Sequence, residues 1–178
     1  MNAPNLSTHW NRQVPTLWAF STVCALALAL AVAVRAAAQA AGPPTAMFKT
    51  GFNLCKLAKL PAVEKAAGAT LSTAKFDGKF CNWSSSDDAY TVMVTAHPSA
   101  WTAMLDLLGG QKGEKISNVT VPGASRGVLD TFPYAKTHRY ASDLYAVYPQ
   151  GVVQVSFNYA KSFPPAQMIA VMRLLTGT

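Results

Sequence analysis

The sequence contains one pattern that is typical of a catalytic serine. Residues 123–127 read Gly-Ala-Ser-Arg-Gly, which matches the G-x-S-x-G motif of hydrolases, where a strained strand-to-helix turn exposes the serine. Asp130 and His138 follow Ser125 in the order of the acid and the base of such enzymes. A small serine hydrolase is therefore one alternative. Against it, the residues after Ser125 form a poor helix and the sequence has no HGGG-like oxyanion segment, so we expect an ordinary turn.

The cysteines suggest a second kind of chemistry. Cys55 and Cys81 are the cysteines outside the N-terminal apolar run, and two such cysteines in an exported protein normally pair. Their spacing predicts one disulfide that ties an N-terminal helix to a hairpin strand. A zinc site that adds His97 and His138 is the alternative, but it lacks the usual C-x-x-C or H-x-x-x-H spacing. We therefore expect no metal and no cofactor.

The remaining polar and aromatic candidates favour structural roles. His97 precedes a proline at a predicted strand end and His138 lies at a predicted strand start, so both are expected to be solvated. The acidic pair at residues 87–88 lies in a serine-rich turn and should cap backbone amides. Sheet packing accounts for most of the tyrosines, and an aromatic ligand groove is the alternative. These tyrosines are Tyr134, Tyr140, Tyr145, Tyr148 and Tyr159.

The N-terminal residues predict export. Arg12 precedes an apolar run at residues 17–34, and Ala38-Gln39-Ala40 follows it, which is the order of a secretory signal peptide. An uncleaved signal anchor is the alternative, because an apolar run of about 18 residues can span a bilayer. Cys24 lies inside the run and not at its end, so lipidation is not expected.

This leader sets the domain organisation. The predicted segments are a signal peptide or signal anchor at residues 1–40, a flexible lead-in at 41–52, and a single domain at 53–178. The chain has a net charge of +7, but its lysines are dispersed and do not form a block. Nucleic-acid-binding proteins cluster their basic residues, so we expect no nucleic-acid partner, and a membrane contact only through an uncleaved N-terminal segment.

Strand patterns alternate with helical ones along the domain. A helix is predicted over residues 61–67, where Gly68 should end it. Asp77-Gly78 is a strong hairpin signal between strands at 70–76 and 79–84. Further strands are predicted at 90–96 and 116–121, residues 128–132 are left open as either a short strand or a connection, and a second hairpin joins 139–148 to 152–159.

Two more helices complete the prediction. Pro98 should open a helix whose apolar stripe is Trp101, Met104, Leu105 and Leu108. Pro164-Pro165 should start a C-terminal helix with Met168, Ile169, Met172 and Leu175 on its buried side. In the last strand, Gln154, Ser156 and Asn158 should face water. The sum predicts an α+β fold with a mostly antiparallel sheet of about six strands, flanked by two or three helices.

The arrangement of these motifs resembles a known group of proteins. Cys55 before a short helix that ends at Gly68, then Cys81-x-Trp83 on a hairpin, and Val121-Pro122-Gly123 after a strand are similar to small exported bacterial domains of PsbP-like fold. The LpqN-type actinobacterial lipoproteins and their relatives are the group that we can name. The resemblance covers about residues 48–176, without the lipidation cysteine. It implies an envelope protein with a binding or accessory role and no shared catalytic residues.

Together these observations favour an exported, non-enzymatic domain of the cell envelope. We expect it to be secreted or periplasmic, or membrane-anchored if the leader is retained. Its partner would be an envelope protein or another envelope component.

Overall fold

The structure, a computed structural model, describes residues 42–86, 91–110, 112–134, 139–159 and 165–178. The predicted leader, the acidic pair at 87–88 and His138 lie outside these residues. Among the helices of the described ranges, none has the length and apolar character needed to cross a membrane.

A seven-stranded antiparallel sheet forms the centre of the described part of the chain. The strands are β1 (Thr73–Phe76), β2 (Phe80–Ser84), β3 (Thr91–Pro98), β4 (Lys115–Asn118), β5 (Arg126–Tyr134), β6 (Arg139–Tyr148) and β7 (Gly151–Tyr159). Their order across the sheet is β1-β2-β3-β7-β6-β5-β4. The α+β class is confirmed, with seven strands where about six were expected. The added strand is β5, predicted only as a short segment, which pairs with β6 along its whole length.

The first hairpin and the helix before it form as predicted. The Oδ1 atom of Asp77 accepts hydrogen bonds from the backbone N–H groups of Lys79 and Phe80, both at 3.0 Å, and so closes the turn between β1 and β2. Helix α1 (Leu60–Ala67) carries Pro61 in its first turn, where the missing N–H costs nothing. Gly68 ends α1 in the left-handed conformation, with φ of 67°, which glycine adopts without strain.

The predicted disulfide is present. Cys55 lies in a short 3₁₀ helix, η2 (Leu54–Lys56), and Cys81 lies in β2. Their sulfur atoms are bonded, and their Cα atoms are 5.1 Å apart. The side chain of Asn53 accepts the backbone N–H of Cys55 at 3.0 Å and caps η2. The bond therefore fastens the segment before α1 to the hairpin.

Both α-helices pack on one face of the sheet, which we call the helical face. The large apolar core between them and the sheet is the helical-face core. Helix α2 (Pro165–Thr176) buries Met168, Met172 and Leu175 as predicted, whereas Ile169 is half-buried. The largest fully buried side chains include Trp83 and Phe157 from the strands beneath the helices. Cys81 belongs to the same core, so the indole beside the disulfide packs inside the protein.

The predicted flexible lead-in takes part in this core. Residues Thr45–Phe48 form a 3₁₀ helix, η1, and Met47 is buried in the helical-face core. Packing therefore begins before residue 53. The glycines and prolines of this stretch indicated a loop, and its apolar side chains Met47, Phe48 and Phe52 pack on the core.

The segment after Pro98 differs from the predicted amphipathic α-helix. It is a 3₁₀ helix, η3 (Ser99–Leu107), in which residues three apart share a face because each turn has three residues. Leu105 is buried and Leu108 half-buried, whereas Met104 is 47% exposed and Leu107 72% exposed. The predicted stripe was therefore wrong for Met104.

Segment η3 covers the opposite face of the sheet, which we call the second face. A smaller apolar cluster lies here, formed by Leu105, Val128, Tyr145 and Val152 with Trp101, Leu108 and Val147 around it. On this face of β7, Ser156 is buried and Gln154 and Asn158 are half-buried. The expectation that these residues face water was therefore wrong for Ser156, while Gln154 and Asn158 are partly exposed, since alternation along a strand gives the face but not what covers it.

Candidate functional site

Ser125 lies in a turn that leads into a strand. Its backbone N–H donates to the carbonyl oxygen of Val147 at 2.8 Å, and its Oγ donates to the same oxygen at 3.1 Å. Strand β5 starts at the next residue, Arg126. This is not the strand-to-helix turn on which the G-x-S-x-G motif depends.

The backbone structure explains why glycines flank Ser125. Gly123 has a φ of 75°, which suits a turn. A side chain at Gly127 would collide with the backbone carbonyl oxygen of Val119, because the two segments approach closely. A cleft of about 350 Å³ lies here, lined by residues 118–121 and 124–127. The motif match thus follows from a tight turn.

The proposed acid of the triad has a different environment. Asp130 is four positions along β5 from Arg126, about 13 Å at 3.3 Å per residue, and Ser125 lies one residue further. The side chain of Asp130 shares a hydrogen bond with Glu114. The structure therefore does not bring Ser125 and Asp130 together, and His138 lies outside the described residues.

The second face instead brings together polar side chains that are distant in sequence. Asp130 of β5 lies opposite Asp143 of β6, and Asp143 lies opposite Ser156 of β7. Two residues further along β6, on the same face, Tyr145 lies opposite Gln154. Cross-strand neighbours on one face have Cβ atoms about 5 Å apart. A row of polar groups consequently runs across three strands under η3.

Hydrogen bonds connect this row. The hydroxyl of Tyr145 donates to Asp143 Oδ2 at 3.3 Å. The amide nitrogen of Gln154 donates to Ser156 Oγ at 3.0 Å, and Gln154 Oε1 lies 2.9 Å from His97 Nε2. The same amide nitrogen donates to the Tyr145 hydroxyl at 3.5 Å, so five side chains of β3, β6 and β7 form one network on the second face.

His97 is part of this network and is not the solvated edge residue that the sequence predicted. Its ring stacks on Trp101 of η3, with ring centroids 3.9 Å apart and planes 10° apart. Trp101 also contacts Tyr145 at a centroid distance of 5.5 Å. Burial lowers the pKa of His97 below its ordinary value, while the hydrogen bond to Gln154 acts in the opposite direction. The imidazole is therefore neutral near pH 7.

The two aspartates resist ionisation. Burial raises the pKa of Asp130 to about 7, and the hydrogen bond and negative charge of Glu114 and the charge of Asp143 add to this effect. Burial also raises the pKa of Asp143, although its hydrogen bonds to Ser156, Gln154 and Tyr145 favour the charged form. Burial and the nearby Asp143 raise the pKa of Tyr145. Below pH 7, Asp130 can thus hold a proton that it shares with Glu114.

The remaining predicted sites are separated by the fold. Tyr145 belongs to the second-face cluster and Tyr148 to the helical-face core, so these two tyrosines cannot line one aromatic groove. Because the sulfur atoms of Cys55 and Cys81 are bonded to each other, they offer no thiolates to zinc. Within the described ranges, no three histidine, cysteine or acidic side chains are placed to hold a metal ion.

Sequence reasoning missed the carboxyl group cluster because Glu114, Asp130 and Asp143 are separated in the chain. One signal was available. Asp130 falls between Val128 and Phe132 on the same side of a predicted strand, where an apolar residue is expected. An ionisable residue at such a position suggests a buried polar contact.

Comparisons with known proteins give no relative from which a role could be transferred. No protein-family model matches the chain, and no curated protein matches it either.

Proposed function

We propose that this protein is an exported, envelope-associated domain without enzymatic activity, with a binding or accessory role. The single observation that supports export best is the Cys55–Cys81 disulfide, because disulfides persist in oxidising compartments outside the cytoplasm. The signal-peptide pattern of the first 40 residues gives independent support. On this proposal the domain is secreted or periplasmic, or membrane-anchored if the leader is retained.

The resemblance to PsbP-like domains belongs to the same proposal. A disulfide-linked helix and hairpin, a late hairpin and a closing amphipathic helix are the features that carry it. A fold of this kind hosts different functions, so the likeness supports an envelope protein and no particular reaction. The partner on this proposal is an envelope protein or another envelope component.

The absence of enzymatic activity is proposed from the position of Ser125. Its hydroxyl donates to a backbone carbonyl oxygen, and no general base is placed beside it among the described residues. A serine hydroxyl without such a base is a weak nucleophile. The hydrolase alternative therefore has the sequence motif but lacks the strand-to-helix turn.

Export is tested by isolating the protein from envelope and culture fractions of an expressing bacterium. We expect the mature chain to begin near residue 41 and to resist alkylation at Cys55 and Cys81 until a reductant is added. A chain that retains residues 1–40 in the membrane fraction would support the anchored alternative. Alkylation without a reductant would contradict an oxidised, exported domain.

The hydrolase alternative is tested with a fluorophosphonate probe, which labels activated serines. We expect no labelling of the wild-type protein or of Ser125→Ala. Labelling of the wild type that disappears in Ser125→Ala, but persists in the neighbouring Ser117→Ala, would establish the hydrolase and overturn the proposal.

A further inference from the structure

Three carboxyl groups, those of Glu114, Asp130 and Asp143, influence one another's charge on the second face. Asp130 and Asp143 lie opposite each other in the paired strands β5 and β6. Glu114, which directly precedes β4, shares a side-chain hydrogen bond with Asp130. Two of the three groups are therefore fixed within the sheet, and the third lies at the end of a turn.

Asp130 is poorly solvated, and the cations nearest to it along its own and the next strand are directed elsewhere. It is 3% exposed, and its Oδ1 atom has no hydrogen-bond partner among the described residues. Arg126, the cation on its own strand, pairs with Asp106 of η3 at 2.8 Å. Lys115 lies opposite Thr131 and not opposite Asp130, and Lys112 is exposed. An ionised Asp130 would consequently face the negative charges of Glu114 and Asp143.

The other groups on the second face do not relieve this charge. The hydroxyl of Tyr145 donates to Asp143, and the His97 imidazole reaches the network through Gln154. Repulsion among like charges in a site of low polarity costs far more than in water. The cluster can therefore avoid this cost by retaining a proton or by moving one carboxyl group away.

Glu114 is the carboxyl group that can move. Its Oε1 accepts the backbone N–H of Gly109 at 2.9 Å, shortly after the end of η3. Gly113 directly before it has a φ of 85° and lies close to Pro133, so the turn reaches β5. The Glu114 side chain thus connects the end of η3 with Asp130 in the sheet.

We propose that Glu114 and Asp130 form a pH-dependent switch. While the two carboxyl groups share a proton, Glu114 holds Gly109 close to β5. When that proton passes to water, the two carboxylates repel each other and Glu114 releases the Gly109 N–H. This device is a property of the fold and goes beyond the proposed function, since an enzyme or a binding domain could equally contain it.

The pKa of Asp130 places the transition near neutral pH. The pKa of Asp130, raised to about 7 by burial and then by Glu114 and Asp143, puts the loss of the proton near neutral pH. Exposed apolar side chains, Leu107 and Ile116, flank Gly109. Release of Gly109 therefore changes an apolar surface of the protein.

The switch is tested by NMR on the oxidised domain between pH 5 and pH 8.5. We expect the Asp130 carboxyl carbon and the Gly109 amide to titrate with one midpoint near 7. The protection of the Gly109 amide against hydrogen exchange, corrected for intrinsic rates, should fall about tenfold between pH 6 and pH 8. A Gly109 amide that is unchanged while Asp130 titrates would overturn the proposal.

Variants separate the switch from a general effect of pH. Asp130→Asn keeps a donor to Glu114 and removes the ionisation, so Gly109 should stay protected at pH 8. Glu114→Gln removes the charge on the moving side chain and keeps an acceptor for Gly109, so it should likewise abolish the titration of Gly109. It serves as a second variant if Asp130→Asn does not fold.

Asp106→Asn is the matched control, because it neutralises an exposed aspartate on η3 outside the cluster. It should leave the midpoint at its wild-type value. A Gly109 transition that persists in Glu114→Gln, or that shifts equally in Asp106→Asn, would overturn the switch.

Discussion

The two faces of the sheet differ in the elements that cover them and in the polarity of the side chains beneath. On the helical face, α1, α2 and the disulfide contribute to a large core of apolar side chains. On the second face, the 3₁₀ helix η3 covers a small apolar cluster beside a row of ionisable and hydrogen-bonding groups. The apolar core stabilises the fold at any pH. The polar groups of the second face contribute a stability that changes with their ionisation.

This difference follows from the geometry of the covering elements. An α-helix presents a broad apolar stripe to a sheet, which excludes water over many strands. A 3₁₀ helix with three residues per turn presents a narrow row, so only Leu105 of η3 is fully buried. Polar side chains on the strands beneath it remain close to the surface and can exchange protons.

The largest effect is expected from the disulfide on the helical face. Cys55→Ala removes a cross-link between residues 26 apart and should lower the free energy of unfolding by about 2–5 kcal/mol. Urea unfolding under oxidising conditions measures it, with Cys81→Ala as the partner variant. If the wild type unfolds at the same urea concentration with and without a reductant, the bond does not stabilise the fold.

Matched leucine substitutions compare the two faces directly. Leu144→Ala in the helical-face core should cost about 3–4 kcal/mol, and Leu105→Ala under η3 about 2 kcal/mol. Both side chains are buried, but the short η3 can shift to close part of the cavity. Chemical denaturation of the two variants gives the comparison, and a larger loss for Leu105→Ala would reverse the assignment of the main core.

A loss of stability between about pH 4 and pH 7 should come from Asp130 on the second face. Because the folded-state pKa of Asp130 is raised to about 7 from 3.8, the unfolded chain loses this proton first as the pH rises. The folded state then binds more protons than the unfolded state, so stability falls between about pH 4 and pH 7 and levels off above.

We expect this loss to be on the order of 2 kcal/mol relative to Asp130→Asn, less than the full pKa difference implies, because Glu114 can move into water. Thermal unfolding of both proteins from pH 4 to pH 8 measures it. Parallel curves for the wild type and Asp130→Asn would show that Asp130 does not cause the effect.

The smallest effect is expected from the ion pair between Arg126 and Asp106. Both side chains are largely exposed, at 40% and 68%, and exposed pairs contribute about 0.2–1 kcal/mol. A double-mutant cycle with Arg126→Ala and Asp106→Ala should give a coupling within this range that disappears in 1 M NaCl. A larger, salt-independent coupling would mean that η3 is held more firmly than the comparison assumes.

Local chemistry allowed much of the fold to be predicted. Asp77-Gly78 closes the first hairpin, Gly68 ends α1, and Cys55 pairs with Cys81, each for a reason that lies within a few residues or in the compartment. The alternation along β7 likewise predicted that Val153, Val155 and Phe157 are buried, and they are. The candidate site was not predicted, because its members come from β3, β5, β6, β7 and the turn before β4 and meet only through strand order.

The sequence by itself determined the class of fold, the hairpins, the disulfide and the apolar side of each strand, because these depend on residue periodicity and turn chemistry. Only the tertiary structure decided what covers the other side of the sheet. Segment η3 adopts a three-residue turn, leaves Met104 exposed and packs Leu105 on the apolar cluster of the second face. Burial depends on which element packs on a face, and that element is chosen by contacts between distant parts of the chain.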